Sequence, residues 1–471
     1  MAIFPVILLV VAFAAAADFA GTARCRGLFL WNGKYASANA SECEIRDSVR
    51  SGALQASAAL HAYKANLEWE NFWNISSRIQ KWEGEAQVRG YFRYLDLTAK
   101  AVGDGEFFRA NASTVLHTPD SLFFGELHLG GGTWGEIRST WISDKPNGFL
   151  DTMRIGYRRE FLRKGLVVGT RFGRHTVNVE GNFFRSVRGP LDGDGYFLRD
   201  SSEFWMGKLR YVHRNGDAEW KMQAAYLSGN AHFYGLRKDG ENIKRFAYLP
   251  VNADVFLANA GFEGRSWEWL WGGIYGHFRL PHRTERFWET LAPNRALGAS
   301  LLQVLSFSLY KRNYRLYGEM EGWLIHSRVG RSFHFSLGTW HFAPRISGDF
   351  VYAQGDMDVF LTSETNKAFV FQKSQTELYR GEVYMAGAIA GTGFLLESPR
   401  RNFFMRLSLL QIVPFFLHKK LSKIDESGET SDIDFGNGEP SSANTSSRRK
   451  SEHLSPFKTG FGIDLSVGYR F

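Results

Sequence analysis

Residues Phe461–Phe471 read FGIDLSVGYRF, and the alternation in this stretch decides the fold. Phe461, Ile463, Leu465, Val467, Tyr469 and Phe471 are apolar, while Gly462, Asp464, Ser466, Gly468 and Arg470 between them are small or polar. Successive side chains of a β-strand face opposite sides, so one face is wholly apolar and the other is not. The stretch has the length of about 9–11 residues with which a tilted strand crosses a bilayer. A membrane β-barrel and a soluble β-sandwich can both contain such a strand.

Composition points the same way. The 471 residues include 49 Gly, 40 Phe, 18 Tyr and 14 Trp, with 12 Pro and only 2 Cys. Charged residues make up 22%, hydrophobic residues 44%, and the mean hydropathy is −0.27. A helical multispan protein needs spans of about 20 apolar residues each, and a disordered chain lacks this aromatic content. The most apolar internal runs, Ala296–Tyr310 and Leu407–Leu417, are shorter than a spanning helix.

The opening run, MAIFPVILLVVAFAAAA, is uncharged and ends in small residues before Asp18, as a secretory signal peptide does. The expected organisation is therefore a signal peptide over 1–17, a periplasmic lead-in segment over 18–52, and a barrel over 53–471. Export places Cys25 and Cys43 in an oxidising compartment, where a disulfide closing a small loop in the lead-in is expected. Two cysteines without suitably spaced histidines make no metal site, and neither metal nor cofactor is expected.

Period-two stretches recur upstream. Met153–Leu162 and Leu166–His175 flank Arg163-Lys164-Gly165, and Glu203–His213 and Ala218–Ser228 flank Asn215-Gly216-Asp217. Leu297–Tyr310 and Tyr314–His326 flank Lys311-Arg312-Asn313, and Ser332–Phe342 and Ile346–Gly355 flank Ala343-Pro344-Arg345. Asn402–His418 and Lys458–Phe471 bracket a polar stretch, Lys419–Phe457, expected as a long loop. With Glu85–Val102, Ser121–Leu129, Trp134–Ile142, Val251–Gly261, Trp267–Arg279 and Thr376–Glu397 the count is sixteen. Adding Ala53–Glu68, and splitting Glu85–Val102 around Asp96, makes eighteen. The expected fold is all-β: a transmembrane antiparallel up-and-down β-barrel of 16–18 strands, with short turns on one side and long loops on the other.

Barrels of this size enclose an aqueous channel, so the lumen face carries the function. Parity puts Arg154 and Arg158 inside one strand, Arg171 inside the next, and Lys208 and Arg210 inside a third. These cations form a basic column, with Arg174 at a strand end and Glu319, Glu321 and Asp464 as candidate opposing acids. A column of one sign selects ions by charge; inward charges that merely hydrate the interior are the rival reading.

The terminal Tyr469-Arg470-Phe471 resembles the C-terminal assembly signal of Gram-negative outer-membrane barrels, with Ser466 where a Gly is usual. Gly173-Arg174-His175 and the segment after it, with Arg185, Arg188-Gly189-Pro190, Asp192 and Asp194, resemble the third-loop region of porins, particularly the OprD-type specific porins. Gly125-Glu126-Leu127-His128-Leu129 also resembles a strand of that family. The resemblance implies a bacterial outer-membrane channel whose Arg185, Arg188, Asp192 and Asp194 lie on a loop folded into the barrel. It further implies contact with outer-membrane lipid and lipopolysaccharide, recognition of Tyr469 and Phe471 by the barrel-assembly machinery, and either a homotrimer or a monomer.

No G-x-S-x-G, H-E-x-x-H, G-x-x-x-x-G-K-[ST] or dinucleotide motif occurs, so no enzyme is expected. Asp192-Gly193-Asp194-Gly195 lacks the further ligands of a calcium loop and is expected as a plain turn. The net charge of +9 is spread among acids without a basic run of five, which argues against nucleic acid. The function expected is passive diffusion of small hydrophilic solutes, anions favoured. A channel for apolar solutes, an adhesin and an outer-membrane enzyme are the alternatives.

Overall fold

The computed structural model describes residues 18–470 except 33–35, 71–72, 105–106, 135–137, 144–151, 156–157, 190–194, 240, 283–287, 292–309, 368–370, 426–429 and 433–459. The expected signal peptide, 1–17, lies outside the described residues, as do Asp192, Asp194 and Phe471.

The strands are β1 (Asp18–Asn32), β2 (Ala36–Ser51), β3 (Leu54–Glu70), β4 (Trp73–Tyr91), β5 (Leu95–Gly103), β6 (Phe108–His117), β7 (Phe123–Trp134), β8 (Arg138–Ser143) and β9 (Thr152–Ile155). They continue with β10 (Arg158–Phe172), β11 (His175–Gly189), β12 (Gly195–Asn215), β13 (Ala218–Asp239), β14 (Asn242–Glu263), β15 (Trp267–Leu280) and β16 (Trp288–Leu291). The last are β17 (Tyr310–Ser332), β18 (Phe335–Leu337), β19 (Trp340–Lys367), β20 (Phe371–Glu397), β21 (Phe403–Ile424), β22 (Thr430–Asp432) and β23 (Gly460–Arg470).

Eighteen of these form a closed antiparallel barrel. The ring runs from β1 to β7, then β10 to β15, β17, β19, β20, β21 and β23, and closes where β23 pairs with β1 from Thr22↔Arg470 to Trp31↔Phe461. Closure removes the unpaired edges that hydrocarbon cannot satisfy. Short turns such as Gly173-Arg174 and Gly216-Asp217 lie at one end, where Gly216 has φ +60°. In the turn before β7, Asp120 accepts from Thr118 Oγ1 and the Leu122 amide, which hold its carboxyl below the usual range. At the loop end, β8 pairs with β4 and β9 meets β12 at Phe197↔Arg154. The rim there follows the path β4–β8–β9–β12 and so shortens the route through β5, β6, β7, β10 and β11.

Curvature distinguishes the faces. Side chains on the convex face splay apart, and those on the concave face crowd. Trp82, Leu127, Val179 and Trp205 are exposed, whereas the intervening Glu83, Glu85, Asn182 and Asp200 are buried. The convex face is apolar over a band bounded by two aromatic girdles. Near the short turns Trp220 packs on Phe262 at 4.8 Å and on Trp269 at 5.7 Å. At the other margin lie Tyr226, Tyr275, Tyr384 and Trp323, the last packed on Tyr352 at 5.0 Å. Along β15 the convex side chains from Trp267 to Tyr275 rise about 20–25 Å at the usual tilt, the height of an outer-membrane apolar band. The chain is a transmembrane β-barrel.

The count matched the expectation, but the membership differed. Residues 18–51, expected as lead-in, are β1 and β2 of the wall. Arg163-Lys164-Gly165 is no turn, because β10 runs through it, and Lys311-Arg312-Asn313 lies within β17. Ala343-Pro344-Arg345 lies within β19, and the chain reverses at Gly338-Thr339, between β18 and β19. Pro344 is tolerated because β17 ends opposite Arg345, so no ladder bond is asked of its nitrogen on that side. The polar stretch Lys419–Phe457 begins as strand, since β21 reaches Ile424.

Gly165 has a packing reason. A Cβ there would overlap His128 Nε2 and Asn182 Oδ1, which bond each other across the inner face. Gly181, on the opposite face, has nothing within 4 Å of a Cβ. Gly165→Ala is expected to destabilise the refolded barrel by about 1–3 kcal/mol, and Gly181→Ala by much less. Equal denaturation midpoints for the two variants would contradict this packing.

Candidate functional site: the lumen wall

The concave face of β1 to β12 is a belt of ion pairs. Glu85 on β4 is its hub: it receives Arg46 Nη2 at 3.0 Å, Lys100 Nζ at 2.7 Å and His61 Nε2 at 3.2 Å. Glu83, two residues along and therefore on the same face, pairs with Arg109 at 2.9 Å and with Lys81. Glu180 on β11 takes Lys208 at 3.5 Å and Arg163 at 3.4 Å, and Asn182 donates to it at 2.6 Å. Asp200 takes Arg188 at 2.6 Å and Arg159 at 3.6 Å. On the far wall near the short turns, Asp349 takes Arg328 at 2.6 Å and His326 at 3.1 Å, and Glu268 pairs with Arg345. Such charge inside a membrane band requires a wet lumen, because desolvated ions are costly even when paired.

The expected basic column is only partly there. Arg171, Lys208 and Arg210 do face the lumen, by register with Thr176, Glu180 and Asn178. Glu180 sits between their strands and neutralises Lys208. The loop expected over this segment hides it, because β11 is a strand and alternates Glu180 inward. Arg171 lies over the Phe124 ring at 4.8 Å, and neither it nor Arg210 has a carboxylate partner among the described residues. Arg158 faces outward with Leu166 and Val168, and its guanidinium lies over the Phe107 ring; Arg159 is the inward residue. Met153–Leu162 is not one strand: it breaks between β9 and β10, so parity does not carry across it. Arg154 lies in β9, beyond the barrel ring, and its side chain is outside the described residues. Arg174 sits in the short turn before β11 and donates to Asn215 Oδ1, so it is no part of a mid-lumen wall.

The described part of the expected constriction loop is wall. Arg185 and Arg188 belong to β11; Arg185 faces outward, 3.3 Å from Glu203, and Arg188 faces inward. Glu319 and Glu321 share the convex face of β17 with Trp323 and Val329. They lie beyond the upper girdle, where Tyr275 OH donates to Glu321 at 2.9 Å, and do not oppose cations in the pore. Asp464 does face the lumen, held by Arg26 through two bonds of 3.0 and 2.7 Å. Cys25 and Cys43 are joined across β1 and β2 on the convex face, in the wall and not in a lead-in loop. Tyr469 is exposed on the convex face of β23.

Two lumen features lie outside the expectations drawn from the sequence. The first is a recess of about 400 Å3 lined by Lys100, Val102, Arg109, Asn111, Arg159 and Phe161. It opens beside Gly130 and Gly132, where Cβ atoms would strike Asn111 Oδ1 and the Phe108 carbonyl. Gly130-Gly131-Gly132 was the available signal. The second lies opposite. Gly276, Gly322 and Gly355 are directly paired across β15, β17 and β19, leaving a transverse groove floored by backbone. Phe278, Met320 and Met357 line one side, and Ile274, Leu324 and Val383 complete a concavity of about 530 Å3. Glu42, Glu44 and His61 also come within ligand distance of one another, although no metal site was expected.

The sequence matches no protein-family model and no curated protein. Its fold is similar to several solved outer-membrane structures. OccK1 (OpdK) of Pseudomonas aeruginosa matches at 11% identity and TM-score 0.32, covering 96% of this chain and 98% of that one. OccAB4 of Acinetobacter baumannii matches at 9% identity and TM-score 0.35, covering 97% and 98%. CdiB of Acinetobacter baumannii matches at 9% identity and TM-score 0.34; there the chain spans 60% of the other protein's length. At these values the likeness is one of barrel architecture alone.

Proposed function

We propose that the chain is a channel of the bacterial outer membrane that passes small hydrophilic solutes down their gradient and favours anions. The observation that carries the reading is the pairing of faces: an apolar convex band between aromatic girdles, and a concave face laden with ion pairs. Charged groups lining a pore hydrate it and select by sign. We read the preference for anions from Arg171 and Arg210, which meet no carboxylate among the described residues; the hub acids are matched, and Glu42 and Glu126 are lumen acids that oppose this bias. The recess at Lys100, Arg109 and Arg159 adds hydrogen-bond donors for a polar solute but no net charge, since Glu85, Glu83 and Asp200 hold these cations. Solutes, the lipid and lipopolysaccharide around the band, and the assembly machinery acting on the Tyr469 strand are the partners of this reading. Monomer and homotrimer both accommodate it.

The double variant Arg171→Gln, Arg210→Gln is expected to keep the fold and to shift the reversal potential in a salt gradient toward cations. An unchanged reversal potential would remove these two residues from the selectivity wall.

One observation favours a second reading, a channel for solutes bearing a hydrocarbon part. The groove at Gly276, Gly322 and Gly355 is apolar although it faces the lumen, and methionines adapt to irregular apolar shapes. Gly355→Phe is expected to slow passage of a long-chain carboxylate more than that of acetate. Equal slowing of both would leave only the hydrophilic reading.

A further inference from the structure

We propose that Glu42, Glu44 and His61 form a divalent-metal site on the lumen wall, matched to Zn2+. The inference goes beyond the channel reading and does not depend on conduction.

The backbone presents the ligands. Glu42 and Glu44 flank Cys43 on β2, so both point to the face opposite the Cys25–Cys43 disulfide, into the lumen. The disulfide ties β1 to β2 directly behind them. Glu44 is the cross-strand partner of His61 on β3, and one ligand atom from each of the three residues lies within 4.8 Å of the others.

His61 supplies the independent sign. Its side chain is only 7% exposed, and its Nδ1 is buried without a hydrogen-bond partner, 3.9 Å from Glu44 Oε2. Native structures leave few such groups orphaned. Its other nitrogen, Nε2, lies 3.2 Å from Glu85 Oε2. A carboxylate there holds the proton on Nε2, which turns the Nδ1 lone pair toward Glu44; outer carboxylates orient metal-binding histidines in this way. Glu85 is itself fixed by Arg46 and Lys100. Arg46 engages Glu44 only through Oε1, at 2.6 Å, leaving Oε2 for an ion. Glu42 is exposed and makes no ion pair among the described residues.

The donor set points to a first-row transition metal, of which Zn2+ is the redox-inert one. Calcium and magnesium prefer oxygen alone, whereas an imidazole nitrogen with two carboxylates suits zinc. Two ligands on one tetrahedral Zn2+ stand about 3.3 Å apart, so a shift of about half an ångström brings His61 Nδ1 and Glu44 Oε2 into place. The fourth position opens to lumen water. A bound ion cancels the two carboxylate charges and makes this stretch of wall less attractive to cations.

The test is calorimetric titration of the refolded, EDTA-stripped full chain with zinc chloride, and with calcium chloride in parallel. One Zn2+ per chain is expected, with calcium far weaker. Glu42→Gln and Glu44→Gln should each weaken zinc at least about tenfold, while Glu126→Gln, elsewhere in the lumen, leaves it unchanged. Glu42 is exposed, so its variant keeps the fold even if a His61→Ala chain does not. No saturable zinc binding, or equal binding in wild type and both ligand variants, overturns the site. Because heat is read and not current, a failure here is distinguishable from a failure of the channel reading.

Discussion

Removal of residues 460–471 is expected to yield a chain that forms no heat-resistant barrel in detergent or lipid. β23 is the piece that joins β21 to β1, through the registers Phe403↔Tyr469 to Ile412↔Gly460 and Thr22↔Arg470 to Trp31↔Phe461. Without it, β1 and β21 each present a row of backbone donors and acceptors to hydrocarbon. Each unsatisfied group costs several kcal/mol there, so the loss far exceeds the few kcal/mol by which folded chains are stable. Refolding without cellular machinery separates this from loss of a recognition signal. Tyr469→Ala keeps the strand and is expected to fold normally under those conditions. A truncated chain that still resists heat on a gel would show that closure lies elsewhere.

Glu85→Ala is also expected to destabilise the barrel. Its carboxylate is 5% exposed and answers Arg46, Lys100 and His61 together. Removing one partner of a part-buried ion pair leaves charge without compensation, and because Lys100 is 34% exposed to the lumen the expected cost is about 1–3 kcal/mol. Arg46 keeps Glu44, so the stranded charge is chiefly Lys100. Lys100→Ala added to Glu85→Ala should therefore recover part of the loss, and a double-mutant cycle on the denaturation midpoint measures it. Strict additivity of the two substitutions would contradict the hub.

The barrel was legible because its signal is local. Alternation in Phe461–Phe471 and the turn at Asn215-Gly216-Asp217 need no tertiary knowledge. The errors arose where a local sign had a distant cause. Arg163-Lys164-Gly165 looks like a turn, but Gly165 is small because His128 and Asn182, on two other strands, meet over it. His175–Gly189 looks like a loop, yet Glu180 and Asn182 alternate inward from it as a strand requires. That single misreading hid the acid that neutralises Lys208.

Facing was harder than folding. Parity gives two faces but not which is inner, and these strands outreach the apolar band. Along β17 the convex residues change from Val329 and Ile325 to Glu321 and Glu319 as the strand leaves the membrane. Charge was equated with lumen, which holds for Arg171 and Arg210 but fails for the two glutamates. The recess at Lys100 and the Glu42–Glu44–His61 group draw on β2, β3, β5, β6 and β10, and no one-strand reading assembles them.

An open, hydrated lumen with a basic bias makes the barrel a conducting pore. Its most direct test is planar-bilayer recording of the refolded chain, with the reversal potential read in a salt gradient. Stable ohmic steps and a reversal potential displaced toward that of the anion are expected. A folded, heat-modifiable barrel that inserts and passes no current would contradict it.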